Sequence, residues 1–351
     1  MAQPSLARPH LRLRLPQAGR ARTATLAAIS LGVTLLLVAI LLLALGVDPL
    51  YAGVLIVQGA FGNPYAVSET FVQMTPILLA ALGVAIAFRA GLWNIGAEGQ
   101  LYAGAIGSVL VGMNLFHLPA FTLMVAALLA GALAGAFWGL VPAILKVRFG
   151  AQEVLVTIML KYVALLASSM VISGPWHDPI VPKTRDIEAA ANLPVLLPGT
   201  RLHLGFLLAL IAAVVMYFVM NRSVLGYRIR AVGLNRNAAR LAGIKVTSVT
   251  LTTFAVSGAL AGLAGATLVQ GINHALVDGL SPGYGYTAIA VALLGRLHPL
   301  YTVVSAMIFG ALYVGTQSMQ IVTGIPSAFV LVIQSVLLLA ILATRLIDVR
   351  Q

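Results

Sequence analysis

Apolar residues in this chain run in stretches far longer than a soluble helix or strand needs. The runs lie near 24–46, 68–87, 98–114, 119–143, 152–173, 203–220, 247–269, 299–319 and 325–344, with a shorter one at 284–295. A helix that crosses a bilayer needs roughly 20 mostly apolar residues. The runs show no period-2 alternation and are too long for barrel strands. The pattern predicts an all-α polytopic membrane protein of about ten transmembrane helices. The first run exceeds a signal-peptide core and reads as a retained span.

Composition agrees with this reading. Hydrophobic residues make up 60% of the chain and charged ones 9%, against about 25% charged in a soluble domain. That leaves too little polar surface to cover a water-soluble globule. The net charge of +12 would suit nucleic acid, but its placement argues for a membrane instead. Arg8, Arg12, Arg14, Arg20 and Arg22 crowd the N-terminal tail, and Arg222, Arg228, Arg230, Arg236, Arg240 and Lys245 fill one loop. Threaded through ten spans, these fall on one side with Arg89, Lys146, Arg148, Arg296, Arg345 and Arg350. Only Lys183, Arg185 and Arg201 fall on the other side, and Lys161 lies within a span. This is the positive-inside pattern, and it predicts cytoplasmic N- and C-termini.

The organisation expected is a basic cytoplasmic tail over 1–23, one transmembrane domain over 24–346 and a short tail over 347–351. The tail would lie near anionic lipid. The domain carries an outer loop, 174–201, and an inner loop, 221–246. The proline-rich outer loop reads equally as a folded-over cap, a docking surface or a plain connector. Blocks 68–173 and 247–344 would each hold four spans in opposite orientation, each with an isolated arginine, Arg89 or Arg296. An inverted repeat of the kind found in transporters would account for that. Small residues recur at helical spacing at Gly96, Gly104, Ser108 and Gly112 with Gln100 in their midst, at Gly131, Gly135 and Gly139, and at Gly258, Gly262 and Ala266. Such stripes let helix backbones approach closely in lipid.

Catalytic motifs are missing or misplaced. No Gly-Lys dipeptide occurs, so no Walker A loop exists here, and there is no HExxH. Without cysteine, no disulfide or thiolate metal site can form. One Gly-x-Ser-x-Gly match, Gly279 to Gly283, falls in an outer loop. It lacks the strand and helix a hydrolase elbow requires, and reads as a turn. The chain is expected to have no catalytic residue and no metal site.

The segment from Phe88 to Gln100 sets Arg89, Asn94, Glu98, Gln100 and three glycines between two apolar runs. Glycines there disfavour a continuous helix, and broken helices persist in membranes only where they face protein or a polar cavity. An ionisable group in such a place is a functional candidate. Asn94 and Gln100 supply donors and acceptors, Glu98 acceptors, and Trp93 a ring for stacking. The competing reading has Glu98 neutralising Arg89 in a cytoplasmic turn. Glu153 reads either as a pathway group or as a carboxylate at its own helix N-terminus. In the inner loop, Asn235 can cap a short helix from Arg236 to Ala242, stopped by Gly243. Leu234, Ala238 and Leu241 would share one face of it, and Arg236 and Arg240 the opposite one.

Gly91-Leu92-Trp93-Asn94-Ile95-Gly96-Ala97-Glu98-Gly99-Gln100 resembles a signature of permease subunits in ATP-binding-cassette importers of the nucleoside and simple-sugar group. The resemblance continues at Gly150 to Val154 with Thr157 to Leu160, and at Gly226 to Gly233 followed by Ala238-Ala239 and Ala242-Gly243-Ile244. It covers roughly residues 68–344. Ribose-type and branched-chain amino-acid permeases carry other versions of the first motif. Trp93 stands where phenylalanine is usual, and Lys161 where asparagine is.

The resemblance implies a multi-pass subunit of the plasma (cell inner) membrane that forms the path for nucleosides or simple sugars. It assigns Trp93, Asn94, Glu98, Gln100 and Glu153 to that path. Arg228, Arg230, Asn235, Arg236 and Arg240 would couple to a separate ATPase subunit, which binds ATP and Mg and leaves this chain without a cofactor. A substrate-binding protein, periplasmic or lipid-anchored, would deliver the solute, and a second permease chain, identical or related, would complete the path. The alternative is an ion-coupled secondary transporter of a small polar solute, with Glu98 and Glu153 as its coupling acids.

Overall fold

The computed structural model describes residues 32, 35–115, 117–325, 332, 335 and 336. The tails 1–23 and 347–351, and most of the run 325–344, lie outside the described residues. In chain order the helices are α1 (Leu35–Ala44), α2 (Pro49–Phe61), α3 (Pro64–Arg89), α4 (Ala97–Asn114), α5 (Ala120–Phe149) and α6 (Glu153–Ser173). They continue as α7 (Gly205–Arg222), α8 (Val224–Leu234), α9 (Arg236–Leu241), α10 (Val246–Leu268), α11 (Tyr284–Leu294) and α12 (Pro299–Thr323). Among the described residues no strand forms, and six helices are long and apolar enough to cross a membrane. A seventh is added if the bent pair α1 and α2 counts as one span.

The helix limits follow local chemistry. Asn63 caps α3, its side chain accepting from the Ala66 N–H at 2.8 Å, and Pro64 follows as the first helical residue. Lys146 and Arg148 sit in the last turn of α5, where cations are favoured, and Gly150 ends it at φ +68°. The stretch Pro49–Phe61, to which the hydrophobic pattern assigned no element, is a helix. Asp48 caps it, accepting from Leu50 N–H at 2.9 Å, and Pro49 starts it. It leaves α1 at 108°.

α3 lies at the centre, with 83% of its most apolar window buried, against α10, α11, α12 and α7. α6 lies at the edge, with 22% of its window buried. Leu133, Phe137, Leu166, Met170 and Ile211 leave their side chains on the outside of α5, α6 and α7, where a lipid-facing surface must be apolar.

The small-residue stripes meet one another. A Cβ on Gly104 would lie 2.3 Å from the Gly262 Cα, and one on Gly135 would lie 2.3 Å from the Gly258 carbonyl oxygen. Gly131 presses on Ala266 and Gly139 on the Phe254 carbonyl. α4, α5 and α10 therefore touch backbone to backbone, the arrangement the spacing predicts.

The outer loop is the folded-over cap rather than a plain connector. Thr184 N–H donates to the Leu276 carbonyl at 2.9 Å, Ile187 N–H to His274 at 2.8 Å, and Leu193 N–H to Gln270 at 2.9 Å. Its own Ile187, Ala191 and Leu193 are buried. The cap thus lies on the π-helical turn Val269–Asn273 that ends α10. Arg201 closes its far end with a two-point bond to the Glu69 carboxylate on α3, Nε to Oε1 at 2.9 Å.

Candidate functional site

The break between α3 and α4 spans Ala90 to Gly96. Gly91 turns the chain at φ +66°, and the Leu92 N–H returns to the Ala87 carbonyl. Asn94 then faces inward. Its Nδ2 donates to Gln100 Oε1 and to Ser257 Oγ, both at 2.9 Å, and its Oδ1 accepts from Gly96 N–H and Gln100 Nε2. Asn94 and Gln100 are both buried, so the pair closes on itself and on α10. Trp93 points the other way, 55% exposed, with its ring 4.9 Å from Phe88.

Glu98 is buried in the first turn of α4 and reaches a different neighbour. It accepts from the Gly285 N–H at 2.6 Å and from the Ser281 hydroxyl. Ser281 in turn accepts from Gly283 and Tyr284 N–H, and the Tyr102 hydroxyl accepts from the Ser281 N–H at 3.2 Å. The Gly-x-Ser-x-Gly match is therefore the turn that starts α11, as its context predicts. The carboxylate lies where α11 needs an acceptor. Gly285 is required there, since a Cβ on it would sit 2.3 Å from the Glu98 nitrogen. Asn94 and Glu98 thus take different partners, and the neighbours of Glu98 are Ser281, Gly283, Gly285 and Lys161 rather than Arg89.

Glu153 begins α6 and pairs with Lys146 at the end of α5, across the turn at Gly150. Lys161, two turns further along α6, holds its ammonium 4.9 Å from the Tyr162 ring centroid and 4.7 Å from that of Tyr286.

At the inner loop the expected cap forms. Asn235 Oδ1 accepts from the Asn237 and Ala238 N–H groups, both at 3.0 Å, and Gly243 turns the chain at φ +80° after α9. The helix ends at Leu241, one residue before the expected limit. Ala239 is its buried contact, while Leu234 and Leu241 are 88% and 91% exposed. Arg240 is exposed, and Arg236 donates from Nη2 to the Gly91 carbonyl at 3.2 Å. Gly233 presses against the Arg89 carbonyl: a Cβ there would come within 1.9 Å. Arg228 is exposed, whereas Arg230 is half-buried, with one guanidinium nitrogen out of water, and it repels Arg89. The inner loop is thus seated on the α3–α4 break, a contact between positions 145 residues apart that no local pattern announces.

A polytopic helical bundle with a broken helix clamped at its centre, and a short helix seated on that break with an exposed outer face, is the build of a membrane transport component. Residues 66–342 match the family described as branched-chain amino acid transport system / permease component, and the chain belongs to that family. It is 43% identical over 288 residues to the guanosine ABC transporter permease protein NupP of Bacillus subtilis, covering 80% of this chain and 82% of NupP. It is 36% identical over 317 residues to the glucose ABC transporter permease protein TsgB13 of Haloferax volcanii, covering 87% and 83% of the two chains. It is also 28% identical over 253 residues to a second guanosine permease protein of the same Bacillus, NupQ, covering 70% and 79% of the two chains. No solved structure matches the chain. The chain is thus a multi-pass ABC permease subunit, a transport component rather than an enzyme.

Proposed function

We propose that this subunit forms, with a second permease chain, the path by which nucleosides enter the cell across the plasma membrane, with simple sugars as the other solute class. A substrate-binding protein delivers the solute, and a separate ATPase that binds ATP and Mg drives the cycle. The similarity to a guanosine permease and to a glucose permease supports this choice of solutes. That two different chains of one organism, both guanosine permease proteins, resemble this one supports a heterodimer. Ten spans with both termini in the cytoplasm fit the charge asymmetry.

The observation that carries the reading is a continuous line of contacts. Arg236 on α9 bonds to Gly91 in the break, the break leads into Glu98, and Glu98 holds the start of α11 at Gly285. A push on the exposed Leu234–Leu241 face would reach the centre of the bundle through backbone and short side chains. In this reading α8 and α9, with Arg228, Arg230, Asn235, Arg236 and Arg240, seat the ATPase. The Asn94–Gln100–Ser257 network keeps the break in shape, Glu98 and α11 face the path, and Glu153 with Lys146 fixes the α5–α6 turn beside it.

The test is uptake of guanosine and of glucose into proteoliposomes holding the complete transporter. Uptake should require ATP on the ATPase side and survive collapse of ion gradients by ionophores. Uptake driven by a proton gradient through permease chains alone would overturn the reading.

A further inference from the structure

One cavity lies beside the Glu98 clamp, and no residue of the cap or the inner loop lines it. It holds about 180 Å³ among α3, the start of α11, α12 and Ser335. Tyr284, Tyr286, Phe309 and Tyr313 give it aromatic walls, and Thr287 adds a hydroxyl. Two of these rings are fixed by their neighbours. The Tyr284 hydroxyl donates to Gln73 Oε1, and its ring lies 5.7 Å from that of Tyr313. Tyr286 is 39% exposed, and the Lys161 ammonium stands 4.7 Å from its centroid, a cation–π contact.

Fixed aromatic rings edged by hydroxyls suit one kind of occupant, a ring with an apolar face and a polar rim. A nucleobase meets that description, and so does a pyranose. The cavity is smaller than the roughly 300–1,000 Å³ of complete small-molecule pockets, so it suits one ring of a nucleoside rather than the whole molecule. A site of partial contact holds its occupant weakly, which a path requires. Tyr284 is also the neighbour of Gly285, which Glu98 holds, so one wall of the cavity belongs to the helix that the clamp anchors.

We propose that this cavity is a subsite of the transport path, in which the ring of the solute stacks on Tyr286 with the Thr287 and Tyr313 hydroxyls at its edge. This rests on the transport reading above and names where in the chain it is carried out.

The absence of cysteine from the chain allows a direct test in the complete transporter, with the partner subunits' cysteines blocked. Thr287→Cys, and Leu312→Cys on the same cavity as a second position, are labelled with a charged thiosulfonate. Ile321→Cys, 83% exposed on α12, is the control. Guanosine should slow labelling of the two cavity positions roughly tenfold, and leave the control unchanged. Adding Tyr286→Leu should raise the guanosine concentration for half-protection roughly tenfold, the loss of one stacked ring, while Tyr286→Phe keeps it. Labelling that guanosine and glucose both leave unchanged in a transporter that takes them up would overturn the subsite alone. So would reaction with a lipid-soluble maleimide only, which would make the cavity a seat for an acyl chain. Failure of the unsubstituted transporter to take up either solute with ATP would overturn the transport reading and the subsite with it.

Discussion

The backbone N–H of Gly285 donates to the Glu98 carboxylate at 2.6 Å, so α11 begins on a side chain from the first turn of α4. The two residues stand 187 positions apart, and the bond joins the break in one helix to the start of another.

Replacing Glu98 should show that it serves α11 and not Arg89. Glu98→Gln retains an acceptor oxygen but loses the charge at a helix start, a cost of about 1 kcal/mol. Glu98→Ala leaves the Gly285 N–H buried without a partner and should cost about 1–3 kcal/mol. Thermal melting of the purified protein reads both. Adding Arg89→Gln should restore neither, and recovery of stability in the double variant would place the two side chains together after all.

Gly262→Val should be among the most damaging single changes. Its Cβ would meet the Gly131 carbonyl at 2.3 Å, and forcing extra carbon into a close-packed seam costs about 1–3 kcal/mol or more. Loss of monodisperse protein on size exclusion is the expected outcome. Gly199→Val, where nothing lies within 4 Å of the new Cβ, faces only the strain of φ +80° and should be milder.

Changing the exposed face of the inner loop should separate coupling from folding. Leu241→Asp with Arg240→Glu alters two exposed side chains, so the melting temperature should stay within about a degree or two of the original. Retention of the ATPase on an affinity column should fall, and uptake with it. Unchanged retention and unchanged uptake would remove the coupling role from this face.

The cap should loosen in acid. Burial, with His274 beside it, lowers His203 to about 4, against the opposing pull of Glu69. The Nδ1 of His203 accepts from Gly205 N–H, which only a ring unprotonated at that atom can do. Because the folded value lies below 6.5, the unfolded chain takes the proton first as pH falls. The stability held by the neutral ring is full above about pH 6.5 and declines toward pH 4, by about 3 kcal/mol in all. Melting curves over this range should show that slope, and His203→Gln should flatten it.

What could be read from the chain was what neighbours in sequence decide. Asn235 and Gly243 bracket α9 because caps act over three or four residues, and the glycine stripes predict their own meeting because helical periodicity sets which residues share a face. The Asp48–Pro49 start of α2 was equally local, but its helix lies so close behind the first apolar run that hydrophobicity alone does not part them. The partners of the polar residues were out of reach. Asn94 meets Ser257 across 163 positions, Glu153 folds back to Lys146 across a glycine turn, and the cavity tyrosines carry no spacing that marks a site.

The glycine contacts among α4, α5 and α10 limit how the molecule can move. Where two helices meet through side chains, a change of rotamer lets one slide along the other. Where they meet through bare backbone, no such adjustment exists, and sliding requires the helices first to separate. These three helices must therefore travel as one block through a transport cycle. The opening and closing on either side falls to helices met through side chains, as α7 meets α3 through the rings of Phe206 and Phe71. Spin labels on α5 and α10 should keep one separation with and without ATP, while labels on α5 and α7 should not.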